Sequence, residues 1–124
     1  MLVSAVLKRG SIPEQALLKA RADDVIAQSR ETAAELTQVL ARPKFAAATT
    51  AARRETVLRL ILDDAVWFVP SVTVTDCRDR KDNKYLELAL ASGADILEAS
   101  DLDLLVLNPW RGTAIIRPAD YLTR

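Results

Sequence analysis

Apolar and polar positions alternate along this chain with two different periods. Helices are expected where apolar side chains recur every three to four positions. The segments with this spacing are residues 2–7, 11–20, 29–41, 51–63 and 82–92, and a single helical turn is expected at 101–105. Short runs rich in Val, Ile and aromatic residues predict strands at 24–28, 65–69, 95–99 and 114–117. Ser29 and Gly93 mark a helix start and a helix end, because serine caps helices and glycine terminates them.

Short strands that alternate with longer helices predict a parallel sheet with helices on both faces, because parallel strands need a crossover connection. We therefore expect an α/β fold, a three-layer sandwich in which a parallel β-sheet is flanked by helices. The 124 residues are enough for one domain and not for two, so residues 1–124 are assigned to a single unit. The helix at 29–41 is expected to bury Ala34, Leu36, Val39 and Leu40.

Composition limits the partners and the compartment. The 17 basic and 17 acidic residues give a net charge of zero, so no global field points to a nucleic acid or a membrane. No apolar run approaches the ~18 residues of a membrane helix, and the apolar start lacks the leading basic region of a signal peptide. A single cysteine, Cys77, fits a reducing compartment, so we expect a cytoplasmic protein without a membrane partner.

The residue types that are absent narrow the chemistry. Because the chain has no histidine, Ser-His-Asp and Cys-His nucleophile schemes are excluded, and one cysteine without histidine excludes an ordinary zinc site. Three glycines cannot build a glycine-rich phosphate loop. Any catalysis must therefore rest on carboxylates that act through a hard metal ion.

Several acids are expected to meet at one edge of the predicted sheet. A helix that starts at Asp82 rises about 15 Å, and the next strand returns about 16 Å. Asp82, Asp101 and Asp103 should therefore converge at the carboxyl ends of the strands, with Glu35 leaning over the same edge. Converging carboxylates repel one another unless a cation neutralises them, and oxygen ligands suit Mg²⁺ or Mn²⁺. The spacing predicts a metal-dependent phosphoryl-transfer or nuclease site.

Each acid also has a simpler interpretation. Asp82 and Asp101 stand at predicted helix starts, where a single aspartate usually caps backbone N–H groups. Glu35 alone would be an ordinary solvated helix residue. The same interpretation, a solvated surface residue, applies to three other acids: Asp79, Glu87 and Asp95. The metal-site hypothesis therefore depends on convergence and not on any single acid.

Three ordered segments resemble those of a known family. They contain Ser-Arg-Glu-Thr-Ala-Ala-Glu-Leu at 29–36, Asp-Asn-Lys-Tyr-Leu-Glu at 82–87 and Glu-Ala-Ser-Asp-Leu-Asp at 98–103. They are similar, in this order, to the second, third and fourth segments of PIN-domain proteins, above all the group described as toxin components of toxin–antitoxin systems. Residues 2–7 are similar to the stretch that follows the family's first acid.

The resemblance implies a Mg²⁺- or Mn²⁺-dependent endoribonuclease with RNA as its substrate and a cognate antitoxin protein as its partner. It implies that Glu35, Asp82 and Asp101 are catalytic metal-site acids, and that Asp103 is a supporting metal ligand. This expectation agrees with the convergence of the same acids at one sheet edge.

Two departures from the family pattern affect this expectation. The family's first strand ends in Asp-Thr-Asn, which would place its leading metal-binding Asp three residues before Met1. Ala99 stands where the family usually has a hydroxyl residue. Without the leading Asp, cleavage should be slow or absent, because one metal ligand is missing. A misassigned start and a decayed gene both explain the difference.

The same departure affects the fold, because the family's first strand is central to its sheet. Without that strand, the predicted strands at 24–28 and 95–99 would face each other with unpaired backbone groups, which are costly when buried. We expect residues 2–7 to be helical and the exposed apolar surface to be covered by self-association into a homo-oligomer.

Two other classes of protein, and one non-catalytic function, share part of this sequence pattern. Asp101-Leu-Asp103 at a strand end also suits haloacid-dehalogenase-like phosphatases and topoisomerase–primase modules, whose other motifs this chain lacks. The main alternative is a catalytically inactive PIN-like module that binds RNA or a protein. Five basic residues near the proposed edge would hold phosphates in either case, or would form an ordinary solvated surface: Arg30, Arg78, Arg80, Lys81 and Lys84.

Overall fold

The structure is a computed structural model that describes residues 12–43 and 50–124. Its helices are α1 (Ile12–Asp23), α2 (Arg30–Leu40), α3 (Ala51–Leu62), α4 (Asn83–Ser92), α5 (Leu102–Leu105) and α6 (Pro118–Leu122), with a short 3₁₀ helix at Arg80–Asp82. Its strands are β1 (Ala27–Gln28), β2 (Val66–Trp67), β3 (Ile96–Glu98) and β4 (Ala114–Ile116). Among these residues no helix is both long enough and apolar enough to cross a membrane.

All strand pairs in the described residues are parallel, which confirms the predicted α/β class. β1 pairs with β2, so that Ala27 lies opposite Val66, and β3 pairs with β4, so that Ile96 lies opposite Ala114. Among the described residues, these strands form two separate two-stranded sheets. Within residues 12–43 and 50–124, no strand lies between β1 and β3, although both strands line one groove.

Most predicted elements are present, with shifted ends. The strand predicted at 24–28 is reduced to β1, because the N–H of Asp24 donates to Ala20 O and continues the end of α1. The helix α6 was not predicted, since five residues are too few to show a helical period. The helix expected at 2–7 lies outside the described residues.

Helix ends follow local chemistry, as the sequence predicts. The Oγ of Ser29 accepts from the N–H of Thr32 at 3.2 Å, and the Oγ1 of Thr32 accepts from the N–H of Ser29 at 3.0 Å. This reciprocal pair is a capping box that starts α2. Gly93 ends α4 with φ 64°, a left-handed conformation that glycine adopts without a Cβ penalty.

Among the described residues, the buried apolar side chains form three clusters. The first joins α1, α2 and α3 through Leu17, Leu36, Val39, Leu40, Val57 and Ile61. The second lies under α4, β3 and α5 and contains Val74, Cys77, Leu86, Ala89, Ala99, Leu104, Trp110 and Ile115. The third joins α1 to α6 through Ala16, Ala20 and Tyr121. Of the stripe predicted for α2, three members are buried but Ala34 is exposed, because it lies on the solvent side of the helix.

Candidate metal centre

The packing of the second core cluster brings the start of α4 and the end of β3 together. Leu86 of α4, Ala99 after β3 and Leu104 of α5 are all buried in that cluster. The loop before α4 is held by Asn83, whose Oδ1 accepts from the N–H of Cys77 at 2.8 Å. These contacts place the loop that follows Cys77 beside the residues that follow β3.

Three carboxylates meet at this junction. One carboxylate oxygen from each of Asp79, Asp82 and Asp101 lies within 4.8 Å of the others. Asp79 precedes the 3₁₀ helix, Asp82 is its last residue, and Asp101 caps α5. The structure thus brings together two of the four predicted site acids with a third acid that had been assigned to solvent.

The sequence analysis did not predict Asp79 as a site residue, although Asp79 lies three residues before Asp82 and this spacing favours a shared site. Side chains three residues apart eclipse each other in a 3₁₀ helix, so Asp79 and Asp82 lie on the same side of the turn. The Oδ1 of Asp79 accepts from the N–H of Lys81 at 3.1 Å, which fixes the carboxylate at the start of the turn. Residues 76–81 were predicted to form an irregular polar loop. In an irregular loop, residues three apart are not expected to lie on the same side.

Asp82 is not a helix cap, contrary to the simpler interpretation of the sequence. Its side chain makes no capping hydrogen bond, and its Oδ2 is buried without a hydrogen-bond partner among the described residues. Burial raises the pKa of Asp82 to about 6, with further contributions from a hydrogen bond to Asp101 and from the charges of Asp101, Asp79 and Glu35. A buried carboxylate oxygen without a donor needs a proton or a cation.

Asp101 serves as a cap and as a cluster member at the same time. Its Oδ1 accepts from the N–H of Asp103 at 2.9 Å, which is the capping bond expected at the start of a helix. A carboxylate has about four acceptor sites, so this bond leaves acceptor capacity for a second partner. The capping interpretation of Asp101 is therefore correct and does not exclude a ligand role.

Glu35 and Asp103 lie next to the cluster without belonging to it. The hydroxyl of Tyr85 donates to Glu35 Oε2, and the Nζ of Lys84 lies 3.5 Å from Glu35 Oε1. Asp103 donates its backbone N–H to Asp101 and accepts from the Sγ of Cys77 at 3.5 Å. The negative charge of Asp103 contributes to the raised pKa of Cys77, after burial, which is the main cause.

The donor set fits a hard divalent cation. All the candidate ligand atoms are carboxylate oxygens, which Mg²⁺ and Mn²⁺ prefer. The Oδ2 of Asp82 is buried and has no hydrogen-bond partner among the described residues, so a bound cation would stabilise its negative charge. Three exposed basic side chains, Arg78, Arg80 and Lys81, lie in the same loop.

The fold and the acidic group can be compared with those of known protein families. The fold is a small parallel α/β domain with acids grouped after the end of a strand. Residues 1–102 match the family model described as PIN domain, so the chain belongs to the PIN-domain family. Membership implies a nuclease-like module, and PIN domains typically bind divalent metal ions. A search of curated proteins and a search of solved structures each found no match.

Proposed function

We propose that this chain is a Mg²⁺- or Mn²⁺-dependent endoribonuclease of PIN type. The observation that supports it most is the group of three carboxylates within 4.8 Å, one of which has a buried oxygen without a hydrogen-bond donor among the described residues. Asp82, Asp101 and Asp79 would hold the ion. A bound ion of this kind neutralises phosphodiester charge and lowers the pKa of a water molecule.

The chain's own side chains would bind and orient the RNA. Arg78, Arg80 and Lys81 are exposed in the loop that carries Asp79, where they would contact phosphates on either side of the site. Glu35 keeps its proposed role as a fourth acid, and Asp103 its role as a supporting ligand. Because Lys84 and Tyr85 both engage Glu35, we expect that acid to be the weakest ligand and cleavage to be slow.

The resemblance to toxin components supports a role as the toxin of a toxin–antitoxin pair in the cytoplasm, with a cognate antitoxin protein as partner. Self-association into a homo-oligomer is also proposed. Its support is an apolar run around β2, where Val66, Trp67 and Val69 are 45%, 52% and 92% exposed. Contiguous exposed apolar surface of this kind often marks a protein interface.

Metal binding and RNA cleavage, measured on the same variants, test the proposed activity. Mn²⁺ binding would be followed by calorimetry, and cleavage with a fluorescent single-stranded RNA. The wild-type chain should bind Mn²⁺ and cut the RNA only when the ion is present, whereas Asp82→Asn should do neither. Glu87→Gln is the matched control, because Glu87 lies on α4 but accepts from the N–H of Val74 instead of facing the cluster. Cleavage that persists in Asp82→Asn, or in the presence of EDTA, would contradict the proposal.

A non-catalytic RNA-binding module is the second candidate. The ion pair of Lys84 with Glu35, together with the hydrogen bond from Tyr85, occupies an acid for which the sequence resemblance implies a metal-binding role. Metal-independent RNA binding without cleavage, measured with the same RNA, would favour this candidate over the nuclease.

A further inference from the structure

A tight turn before β4 lies outside the part of the chain that the family model matches, which ends at residue 102. The N–H of Trp110 donates to Thr113 O at 2.9 Å, and the N–H of Thr113 donates to Trp110 O at 2.8 Å. The two residues between them, Arg111 and Gly112, have φ values of 46° and 84°. Positive φ at both central positions is a known two-residue hairpin geometry, so the conformation of this turn is well defined.

Arginine is an unusual residue for the first central position of such a turn. Asn, Asp and Gly are favoured there, because a larger L side chain is strained at positive φ. The Cζ of Arg111 lies 4.8 Å from the centre of the Trp110 ring, and its Nη2 lies 3.5 Å from the Oδ2 of Asp76. Contacts of the Arg111 side chain therefore account for its presence at a strained position.

Two side chains of the turn meet the same carboxylate oxygen. The Nε1–H of Trp110 donates to the Oδ2 of Asp76 at 2.9 Å, and Arg111 pairs with that oxygen. Trp110 is 6% exposed and belongs to the second core cluster, whereas the Asp76 side chain is 40% exposed. A donor fixed in the core therefore holds an acceptor at the surface, in a segment 34 residues earlier in the chain.

Two of the three clustered carboxylates, Asp79 and Asp82, belong to one closed loop. Asn83 bonds both backbone groups of Cys77: its Oδ1 accepts from the N–H at 2.8 Å, and its Nδ2 donates to the carbonyl at 3.5 Å. Residues 77–83 are therefore joined at their two ends. This closure fixes the shape of the loop, but it does not fix where the loop lies relative to the segment that carries the third carboxylate.

Side-chain contacts tie the start of this loop to the residues after β3. One is a weak S–H contact from Cys77 to the carbonyl of Asp103 at 3.5 Å. Another is the bond from Trp110 to Asp76, the residue before Cys77, and it is the stronger of these two because its acceptor is charged. The third carboxylate, Asp101, also lies after β3, so this bond helps to set the distance between Asp101 and the acids of the loop.

We propose that Trp110 and Arg111 position the carboxylates of the candidate metal centre by holding Asp76. This inference rests on the proposed function, since it names what keeps the clustered carboxylates together before an ion arrives. Carboxylates that approach one another repel, so the loop needs a hold from outside it in the absence of an ion. A site that is held in place needs less reordering when the ion binds, and its affinity for the ion rises.

Substitutions at this contact, made in the full chain, test the proposal. Trp110→Phe removes the indole donor and keeps an aromatic ring in the core, and Asp76→Ala removes the acceptor. Because the Asp76 side chain is partly exposed, its variants leave the core intact and test the contact even where Trp110→Phe weakens folding. Asp76→Asn is the conservative variant, because its amide oxygen still accepts a hydrogen bond.

A matched control separates positioning from general stability. Val57→Ala lowers stability through the first core cluster, which does not contain Trp110. Calorimetry measures Mn²⁺ affinity at a temperature where all variants are folded. Amide hydrogen exchange followed by NMR on the metal-free chain measures local opening of the loop.

Trp110→Phe and Asp76→Ala should each weaken Mn²⁺ binding about tenfold, the lower end of the range for losing a partner that holds metal ligands. In the metal-free chain, both should speed exchange of the Lys81 and Asp82 amides, whose hydrogen bonds lie within the loop, at least about fivefold. Combining the two substitutions should add little, because both remove the same hydrogen bond. Val57→Ala should change neither quantity.

Two milder variants should have smaller effects. Asp76→Asn should bind Mn²⁺ within about threefold of the wild type, because the hydrogen bond from Trp110 remains and only the ion pair is lost. Arg111→Asn places a residue that tolerates positive φ in the turn. Because the Arg111 side chain is half exposed, its loss should weaken binding by no more than about threefold.

Several outcomes would overturn the proposal. Unchanged exchange of the Lys81 and Asp82 amides in both Trp110→Phe and Asp76→Ala would do so, whether or not the chain binds metal. Faster exchange with wild-type Mn²⁺ affinity would show that the loop moves without consequence for the ion. An equal loss of affinity in Val57→Ala would assign the effect to general stability. A wild-type chain that binds no Mn²⁺ would contradict the metal site itself, and exchange in the metal-free chain would still decide whether the turn holds the loop.

Discussion

Two acidic regions of this molecule lie on either side of β3 and differ in what surrounds them. Asp101 follows the strand and lies within 4.8 Å of two other carboxylates, whereas Asp95 precedes it and stands on the rim of an apolar groove. In the first region burial, together with the neighbouring acids, raises the pKa of Asp82. In the second they border β1 and β3, between which no strand lies among the described residues. The same residue type therefore forms a close group after β3 and a dispersed, exposed rim before it.

The largest effect should come from removing core support below the carboxylate cluster. Leu86 is fully buried between α4 and the residues that follow β3, so Leu86→Ala should lower the free energy of unfolding by about 2–5 kcal/mol. Leu90→Ala, at an exposed position of the same helix, should change it by less than about 0.5 kcal/mol. Urea unfolding measures both values. Equal effects of the two substitutions would show that Leu86 does not hold this region together.

The next largest effect separates the two roles of Asp101. Asp101→Asn keeps a capping oxygen and removes the charge, so RNA cleavage should fall at least about a hundredfold while stability changes by a few tenths of a kcal/mol. Asp101→Ala should lose the same activity and, in addition, about 1 kcal/mol of stability. Cleavage assays and urea unfolding on both variants make the comparison. Wild-type cleavage by Asp101→Asn would remove this acid from the site.

The third prediction concerns pH in the absence of divalent ions. The folded-state pKa of Asp82 is about 6, above the ~3.9 expected in the unfolded chain. Between these values the folded state keeps a proton that the unfolded state has released, so stability should fall as the pH rises from about 4 to about 6. After allowance for partial exposure, the loss is on the order of 1 kcal/mol.

Asp82→Asn provides the control for this pH dependence, because its amide does not titrate. The variant should lose this part of the dependence of stability on pH, and it should be more stable than the wild type at pH 7. Urea unfolding at half-unit steps from pH 4.5 to pH 7 would detect the difference. Parallel curves for the two proteins would show that Asp82 is not the titrating group.

The smallest expected effect concerns the acid that lies beside the cluster. Lys84→Met removes one of the two partners of Glu35, and Tyr85 remains as the other. Loss of this ion pair should raise Mn²⁺ affinity about two- to fivefold, the range expected for one ion pair. Adding Glu35→Gln in the same chain should cancel the gain. Arg59→Met is the control, because it removes a positive charge from the exposed side of α3, where the partner of Arg59 is Glu55. It should leave the Mn²⁺ affinity unchanged. Calorimetry measures all four proteins.

Local sequence signals predicted the elements but not their lengths. Ser29 and Gly93 mark helix ends in the structure as they do in the sequence, because capping depends only on neighbouring residues. The strands are shorter than the apolar runs that predicted them: the run at 65–69 yields only β2. Strand length depends on a paired neighbour, and β2 has only β1 beside it among the described residues.

The candidate site was predictable where spacing along one element decides it. Convergence of Asp82 and Asp101 follows from a helix and a strand of similar length that run in opposite directions. Asp79 was not predicted, because its position depends on a 3₁₀ turn whose residues show no apolar period. Glu35 was predicted to point at the same edge, but Lys84 and Tyr85, which are distant in sequence, engage its carboxylate.

The sequence by itself determined the alternation of helices and strands and the exclusion of chemistry that needs histidine, since each depends on residue type and local order. Only the tertiary structure decided which acids share a site, because side chains far apart in sequence meet through packing of the core around Leu86. It also decided that β1 pairs with β2 and β3 with β4, because strand pairing is a contact between distant segments that no local pattern specifies.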